Sequence, residues 1–219
     1  MTVSDIANQV LFIVNDRQMV TYRQEDVLSA YNNSLKMISI VRPDASSEIT
    51  AVTLVAGAKQ RLPAEALRLL DSCYQLNDQS NETHALELVN KDDLDRLTPL
   101  WQLDPPSNQV TEIMYDERFP TVFWTYPPAQ ANIVLQLAYT KVPDTADSLD
   151  DNFPLSDKYA PAVIEWMLYL LFSRDSENSI NQQRAADHRN VFFNVLQVKT
   201  QADSSSSVVS QNRNYSEDE

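Results

Sequence analysis

The residues with the clearest potential for chemistry in this sequence are carboxylates, among them Asp92, Asp93 and Asp95 in the stretch NKDDLDRLTP. Three aspartates this close together could hold a cation. They lack the glycine and the closing glutamate that complete a calcium-binding loop. Asn90 before them and a proline after them are instead typical start and stop signals of a short helix. We therefore interpret these aspartates as the solvated first turn of a helix over residues 90–99.

Two further sets of acids, Glu112 with Asp116 and Asp150 with Asp151, have the composition of a glycosidase acid pair. The chain contains 31 acidic residues, so pairs of this kind are expected by number alone. No second motif accompanies either pair. These carboxylates therefore do not indicate an enzyme.

The sequence has one cysteine, Cys73, and two histidines, His84 and His188. A single cysteine permits neither an intramolecular disulfide nor a thiolate metal cluster, and no motif joins it to a histidine as nucleophile and base. We interpret Cys73 as a buried bystander. His188 falls on the apolar side of its predicted helix and is interpreted as a histidine satisfied in a core or interface. We accordingly predict no catalytic, metal-binding or cofactor-binding residue.

Glycine content and net charge exclude several classes of function. Gly57 is the only glycine, whereas phosphate-binding loops of the GxGxxG and GxxxxGK types need at least two. The formal net charge is −14, with 17 Lys and Arg against 31 Asp and Glu. Binding to a nucleic-acid backbone normally needs a basic patch, and an acidic surface repels that backbone. The charge argues against direct DNA binding, although repulsion would help DNA to slide past.

The segment IEWMLYLLFSRDSE, residues 164–177, continues an apolar strip that begins at Ala160 and ends at Phe172. This strip is shorter than the ~20 residues of a membrane-spanning helix, and it contains Glu165. No basic segment followed by an apolar one stands at Met1, so a secretory signal is not indicated. We expect the strip to face the protein's own core and, in part, a copy of itself.

The N-terminal third has apolar residues at helical spacing, which predict two helices. The first follows Ser4 as its N-cap. The second opens with the capping-box sequence TYRQ, residues 21–24, and stops at Pro43.

The last third predicts two more helices. The first is capped at Ser156 or the next residue and is apolar nearly all round, so it needs partners on more than one side. One of its faces is marked by Ile164, Met167, Leu168, Leu171 and Phe172. We predict that the opposite face, formed by Trp166, Tyr169 and Leu170, contacts a neighbouring subunit. The final helix is predicted over residues 181–201.

The middle of the chain is rich in β-branched and aromatic residues, which favour strands. Residues 49–63 predict a strand, a turn at Gly57 and a second strand, and residues 66–77 are interpreted as another strand. Three antiparallel strands in series are predicted over residues 111–116, 121–126 and 133–140.

These elements predict an α+β fold in which helices from both ends of the chain form one bundle. We assign the bundle to residues 1–47 and 144–202, and an inserted antiparallel β-rich lobe to residues 48–143. Residues 203–219 have no core-forming pattern and predict a disordered or extended C-terminal tail.

The order of these elements resembles the head-to-tail adaptor (connector) proteins of tailed bacteriophages. Residues 53–71, TLVAGAKQRLPAEALRLLD, resemble the family's first hairpin and the strand after it. Residues 115–128, YDERFPTVFWTYPP, resemble its second hairpin, and residues 153–177, FPLSDKYAPAVIEWMLYLLFSRDSE, resemble the helix that follows. The resemblance spans residues 1 to about 200.

The resemblance implies a structural virion protein and no enzyme. In such families, copies form a ring, commonly twelvefold, below the portal; the ring joins the portal to a tail or nozzle protein and surrounds a DNA channel. DNA would pass through without specific binding. The protein would be made in the bacterial host cytoplasm and reside in the neck of the virion, with no membrane partner. The C-terminal tail would dock on the portal, and its large apolar anchors are Val208, Val209 and Tyr215.

Two other classes of function remain open from the residues. The net charge of −14 is compatible with an acidic host-takeover protein that mimics DNA, although the acids are scattered among Arg and Lys. Trp124 and Tyr126 beside Pro127-Pro128 could form the sugar-stacking surface of a receptor-binding tail component. We favour strand-face packing for these two aromatic residues.

Overall fold

A computed structural model describes residues 1–77, 79, 81–174 and 178–205 of the 219-residue chain, with the side chains of residues 72, 73 and 198–205 left out. The fold is α+β, as predicted. Two compact units divide the chain. The first joins Met1–Arg42 to the segment from Pro143 onwards, and the second is the intervening Pro43–Val142. We call them the helical unit and the lobe.

Helix α1 (Val3–Ile13) has its N-cap at Thr2, two residues before the predicted cap Ser4. The Thr2 hydroxyl accepts a hydrogen bond from the Asp5 amide at 3.3 Å, and the Asp5 carboxylate accepts one from the Thr2 amide at 2.8 Å. This reciprocal capping box makes Thr2 the N-cap. Ser4, the predicted cap, takes part in neither of these bonds and lies inside the helix.

Helix α2 (Gln24–Val41) has Arg23 as its N-cap, two residues after the predicted cap Thr21. The predicted capping box at residues 21–24 is wrong, because the amide of its first residue, Thr21, donates its hydrogen bond to Asp16 and not to the Gln24 side chain. The carboxylate of Asp16 accepts hydrogen bonds from the amides of residues 20, 21 and 22 at 2.8–2.9 Å. Asp16 is only 9 % exposed. The turn between α1 and α2 is therefore organised by one buried carboxylate.

The last third supplies α4 (Ala160–Ser173) and α5 (Ser179–Ser205). A 3-10 helix with Ser156 as its N-cap leads into α4, and Pro161 stands in the first turn, where a missing amide hydrogen has no cost. α4 packs against α1, α2 and α5, as expected for a helix that is apolar nearly all round. It buries Ala160, Ala162, Val163, Trp166, Met167, Leu168, Leu171 and Phe172.

The lobe contains two four-stranded sheets. Its strands are β1 (Ser47–Thr53), β2 (Gly57–Arg61), β3 (Ala66–Leu76), β4 (Glu82–Ala85), β5 (Glu87–Val89), β6 (Glu112–Tyr115), β7 (Val122–Ala129) and β8 (Val134–Lys141). The first sheet has the order β1-β8-β3-β4, and the second has the order β2-β7-β6-β5.

The predicted antiparallel arrangement holds for the first sheet but not for all of the second. β5 and β6 run parallel, with Glu87 opposite Glu112. Parallel neighbours need a crossover connection. The connection here contains α3 (Lys91–Leu97), which has the predicted Asn90 cap, and a 3-10 helix, Trp101–Leu103. This crossover returns the chain to the same end of the sheet, and it also covers one face of the sheet.

Two strand pairings predicted from short-range pattern are wrong. β1 and β2 do not form a hairpin, because β1 pairs with β8 and β2 pairs with β7. β6 and β7 do pair antiparallel, but β8 continues in the other sheet. In both places consecutive strands change sheet, and this lets both sheets contribute to one apolar core. The core includes Val52, Leu69, Ile113, Phe123, Leu135, Leu137 and Tyr139.

Candidate functional site

The aspartates of α3 are engaged by neighbouring side chains. Asp95 accepts hydrogen bonds from the Lys91 ammonium at 2.5 Å and from the Trp101 indole nitrogen at 2.8 Å, and these two bonds lower the pKa of its carboxyl. Asp93 pairs with Arg96 at 2.9 Å. In the described ranges, no group of three or more His, Cys, Asp or Glu residues could hold a metal ion. Asp95 is thus a structural clamp that the sequence did not indicate.

One member of each acid pair is engaged by local partners. Asp116 is bound by the Arg118 guanidinium at 2.7–3.0 Å. It stands four residues after Glu112, a separation of about 13 Å along an extended chain, beyond the reach of a glycosidase pair. Asp151 accepts hydrogen bonds from the amides of Asp147 and Ser148, both at 2.9 Å. Asp116 and Asp151 therefore stabilise local turns and do not indicate an acid–base pair.

The histidines are hydrogen-bonded as well. His188 Nδ1 lies 2.7 Å from Glu165 Oε2, and its ring stacks on Phe172 at 5.6 Å, which links α5 to α4. His84 Nε2 lies 2.5 Å from the Val110 carbonyl oxygen. The side chain of Cys73 lies outside the described residues.

Trp124 and Tyr126 pack in a second apolar cluster on the far side of the second sheet. The centre of this cluster is Trp101, which is fully buried and meets Tyr126 edge to face at 6.2 Å. The Lys91 ammonium lies 5.5 Å from the Trp124 ring centroid. This packing confirms the interpretation of Trp124 and Tyr126 as strand-face residues.

Trp166, the first of the predicted contact residues on α4, is covered by its own chain. It is 8 % exposed, its indole nitrogen donates to Asn33 Oδ1 at 3.0 Å, and its ring lies 4.7 Å from that of Phe192. α2 and α5 therefore hold the indole from two sides. The side chain helps to position α4 within the helical unit.

Tyr169 and Leu170 are half-buried and line two separate grooves beside α4. Leu170 lines a groove between α2 and α4 with a volume of about 280 Å³, where Arg174 pairs with Asp26 at 2.7 Å. Tyr169 lines a groove between α4 and α5 with a volume of about 440 Å³. The residues around the second groove are Tyr169, Ser173, Gln182, Ala185, Ala186, Arg189 and Asn190. These grooves are open to a partner, whereas the face of Trp166 is closed.

The lobe exposes an apolar surface that sequence reasoning missed. Leu97, Leu100 and Leu103 are 83, 70 and 78 % exposed. The signal was present as three leucines spaced three residues apart around the buried Trp101. We call these three residues the leucine surface.

Acidic charge is divided evenly between the two units. Residues 43–142 contain 14 acidic and seven basic residues, a net charge of −7, and the rest of the chain contains 17 and 10, also −7. No helix in the described part of the chain is long and apolar enough to cross a membrane. The predicted anchors Val208, Val209 and Tyr215 lie outside the described residues.

Comparison with known proteins identifies the family. The family model described as SU10 adaptor protein matches residues 1–213. Because this match covers most of the chain, the protein belongs to this family of phage head-to-tail adaptors. A search of curated proteins finds no match. Family membership implies a component of the phage particle that associates with portal and tail proteins.

Proposed function

We propose that this member of the SU10 adaptor family assembles as a ring below the phage portal, joins the portal to the tail and surrounds the channel for DNA. The observation that carries the proposal is the family match over residues 1–213. A ring is closed by head-to-tail contacts, in which each copy presents two different surfaces. We propose that the ring contains twelve copies, the number that is common in such families, and that the helices of the helical unit form one bundle.

The acidic charge supports a passive role toward DNA. At −14 for each copy, a ring of many copies has a strongly negative field, and acids near the channel repel the phosphate backbone. Such repulsion keeps DNA moving. The alternative of a DNA mimic would need free acids in phosphate-like stripes, whereas Asp26, Asp93 and Asp116 are each paired with an arginine.

The exposed side of α4 is the proposed subunit contact on the helical unit. Tyr169 and Leu170 would contact the neighbouring copy directly, and Trp166 would hold α4 in place behind them. We expect Tyr169→Asp and Leu170→Asp to fold but to lose ring assembly. Gln18→Asp, an equal charge change at an exposed position of the α1–α2 turn, is the matched control and should assemble.

The C-terminal tail is the proposed docking segment for the portal. The sequence predicts this tail over residues 203–219, but α5 continues to Ser205, so the segment beyond the helix is residues 206–219. These 14 residues include Val208, Val209 and Tyr215 and would reach about 45–50 Å when extended. If this segment orders only on binding, assembly depends on the presence of the portal.

The test of the proposed function uses DNA-filled heads that carry portal but no neck. The full chain, or a chain ending at Ser205, is added and the vertex is imaged by electron microscopy. A ring with the full chain and none with the truncated chain supports both the adaptor function and the docking tail. A ring with both chains keeps the adaptor function and removes the tail from it. No ring with either overturns the proposed function and favours the DNA mimic, which inhibition of a DNA-binding enzyme would detect.

A further inference from the structure

The leucine surface is unusual for a surface segment of a folded lobe. Leu97, Leu100 and Leu103 leave most of their side chains in water, although burial of a leucine side chain is favourable. Three large aliphatic residues that are exposed within seven consecutive positions of the chain favour a surface for another protein over the scattered apolar residues of an ordinary surface.

The segment that carries these leucines is held firmly in place. Trp101, in the middle of the leucine surface, is fully buried. Its indole nitrogen donates to Asp95, and Asp95 also receives Lys91. The leucines are therefore presented from a fixed backbone, which lowers the entropy cost of docking.

The groove between α4 and α5 is large enough to receive such side chains. Its volume is about 440 Å³, and small residues, Ser173, Ala185 and Ala186, lie between its larger walls. Tyr169 supplies an aromatic wall. Small residues at a helix–helix groove allow an incoming side chain to approach the backbone closely.

The charges of the two surfaces are complementary. Arg189 is the one charged residue among those that line the described groove. The leucine segment, residues 91–104, contains four acidic and two basic residues. Both of its cations are already bonded, Lys91 to Asp95 and Arg96 to Asp93. The segment therefore presents negative charge to a groove that presents positive charge.

We propose that the leucine surface of one copy docks in the α4–α5 groove of the next copy and forms the repeating contact of the ring. This inference rests on the proposed ring and names its two faces, one on the lobe and one on the helical unit. The two surfaces differ, as a head-to-tail contact requires. Tyr169, in the groove wall, would then touch a leucine of the neighbour.

The test is a site-specific disulfide across the contact. Cys73, the only native cysteine, is replaced by serine, and Leu100→Cys and Ala186→Cys are combined in one chain. The variant is added to portal-bearing heads, oxidised mildly and separated under denaturing conditions without reductant. We expect a ladder of covalent multimers. The variants with Leu100→Cys alone or Ala186→Cys alone should remain monomers under these conditions, because in a head-to-tail contact neither position lies next to the same position of the neighbouring copy.

Other outcomes overturn the inference. A cross-link within the monomer would mean that the two residues meet inside one chain, and dimers from one single-cysteine variant would mean a like-to-like contact. The pair Leu100→Cys with Val20→Cys tests a different partner surface, since Val20 is 78 % exposed on the α1–α2 turn. A ladder from that pair alone would move the contact away from the groove.

Electron microscopy of the same samples separates this inference from the proposed function. Rings without a ladder keep the adaptor function and overturn the groove contact. If the unmodified chain forms no ring, both fail. As a second variant, Leu100→Glu should abolish rings while Leu100→Met retains them, since Met preserves apolar volume and Glu places a charge in the contact. Rings formed by Leu100→Glu would also overturn the inference.

Discussion

The helical unit and the lobe have the same net charge of −7 but build their surfaces in opposite ways. The helical unit places one central helix, α4, against three others and leaves grooves where the helices diverge. The lobe places apolar clusters on both faces of its second sheet and exposes three leucines on the segment that covers it. Charge alone does not distinguish the units. The described grooves beside α4 lie in the helical unit, whereas the three leucines that follow one another at intervals of three residues lie in the lobe.

The two units also use their carboxylates differently. Asp16 of the helical unit accepts three backbone amides and so shapes a turn by itself. Asp95 of the lobe accepts hydrogen bonds from the side chains of Lys91 and Trp101, and so fixes this segment by side-chain contacts. Glu112 of the lobe has no such partner and lies beside Glu87. We therefore expect Asp16 and Asp95 to stabilise their units through these hydrogen bonds, and Glu112 to destabilise the lobe through repulsion by Glu87.

The largest expected effects come from the central tryptophan of each unit. Trp166→Ala and Trp101→Ala should each lower the free energy of unfolding by about 3–5 kcal/mol, because each leaves a large cavity. Hydrogen exchange should rise in α2, α4 and α5 for the first variant, and in α3 and β7 for the second. Trp166→Phe, which keeps most of the ring volume, is the control and should cost much less. Unchanged exchange in α5 for Trp166→Ala would contradict its assignment to the core of the helical unit.

Asp16→Asn should destabilise the helical unit at neutral pH but not in strong acid. Hydrogen bonds from the backbone, that of Tyr22 foremost, lower the pKa of Asp16. An aspartate with a lowered pKa stabilises the fold above its unfolded pKa and loses that stabilisation as the pH falls through the folded value. Urea unfolding of both chains from pH 7 to pH 2 should show a difference that shrinks below about pH 4.

Asp187→Asn provides a matched loss of charge at an exposed position of α5, where the carboxylate accepts a hydrogen bond from the Gln183 side chain at 2.9 Å. It should leave the free energy of unfolding at pH 7 close to that of the unmodified chain. An equal effect of both substitutions would point to net charge rather than to the turn.

Glu112→Gln should show the opposite pH dependence in the lobe. Burial, and then the neighbouring Glu87, raise the pKa of Glu112, so the ionised form is disfavoured in the folded state. The substitution should stabilise the lobe at pH 7 by about 0.2–1 kcal/mol. The gain should vanish as the pH falls through the raised pKa, because the native carboxyl is then protonated as well. Glu87→Gln should relieve the same repulsion, and destabilisation by both would refute this account.

The smallest expected effect is that of Tyr31→Phe in the helical unit. The Tyr31 hydroxyl is buried without a hydrogen-bond partner, and burial raises its pKa. Its removal should change the free energy of unfolding by only about 0–1 kcal/mol, in the stabilising direction. Tyr22→Phe is the matched control: its hydroxyl donates to the Leu171 carbonyl at 3.2 Å, so its loss should destabilise. Thermal unfolding of both variants checks this, and a larger loss of stability for Tyr31→Phe than for Tyr22→Phe would contradict the prediction.

The sequence by itself determined the identity of the elements and the class of function. Helical spacing located α1, α2, α4 and α5, the Asn90 cap located α3, and β-branched and aromatic residues located the main strands. A single glycine excluded phosphate-binding loops. The order of elements indicated the adaptor family, which the match over residues 1–213 confirmed. These features were readable because periodicity, capping and turn chemistry act within a few residues of chain.

Only the tertiary structure decided which strands pair, which side of α4 is closed, and where the apolar surface lies. β1 and β2 are consecutive, yet they join different sheets. Trp166 has the same sequence periodicity as a contact residue, yet Asn33 and Phe192 cover it. Leu100 has an apolar side chain of the kind that usually lies in a core, yet it is 70 % exposed beside the buried Trp101. Local sequence favours a helix or a strand, but burial depends on residues that are distant in the chain and close in space.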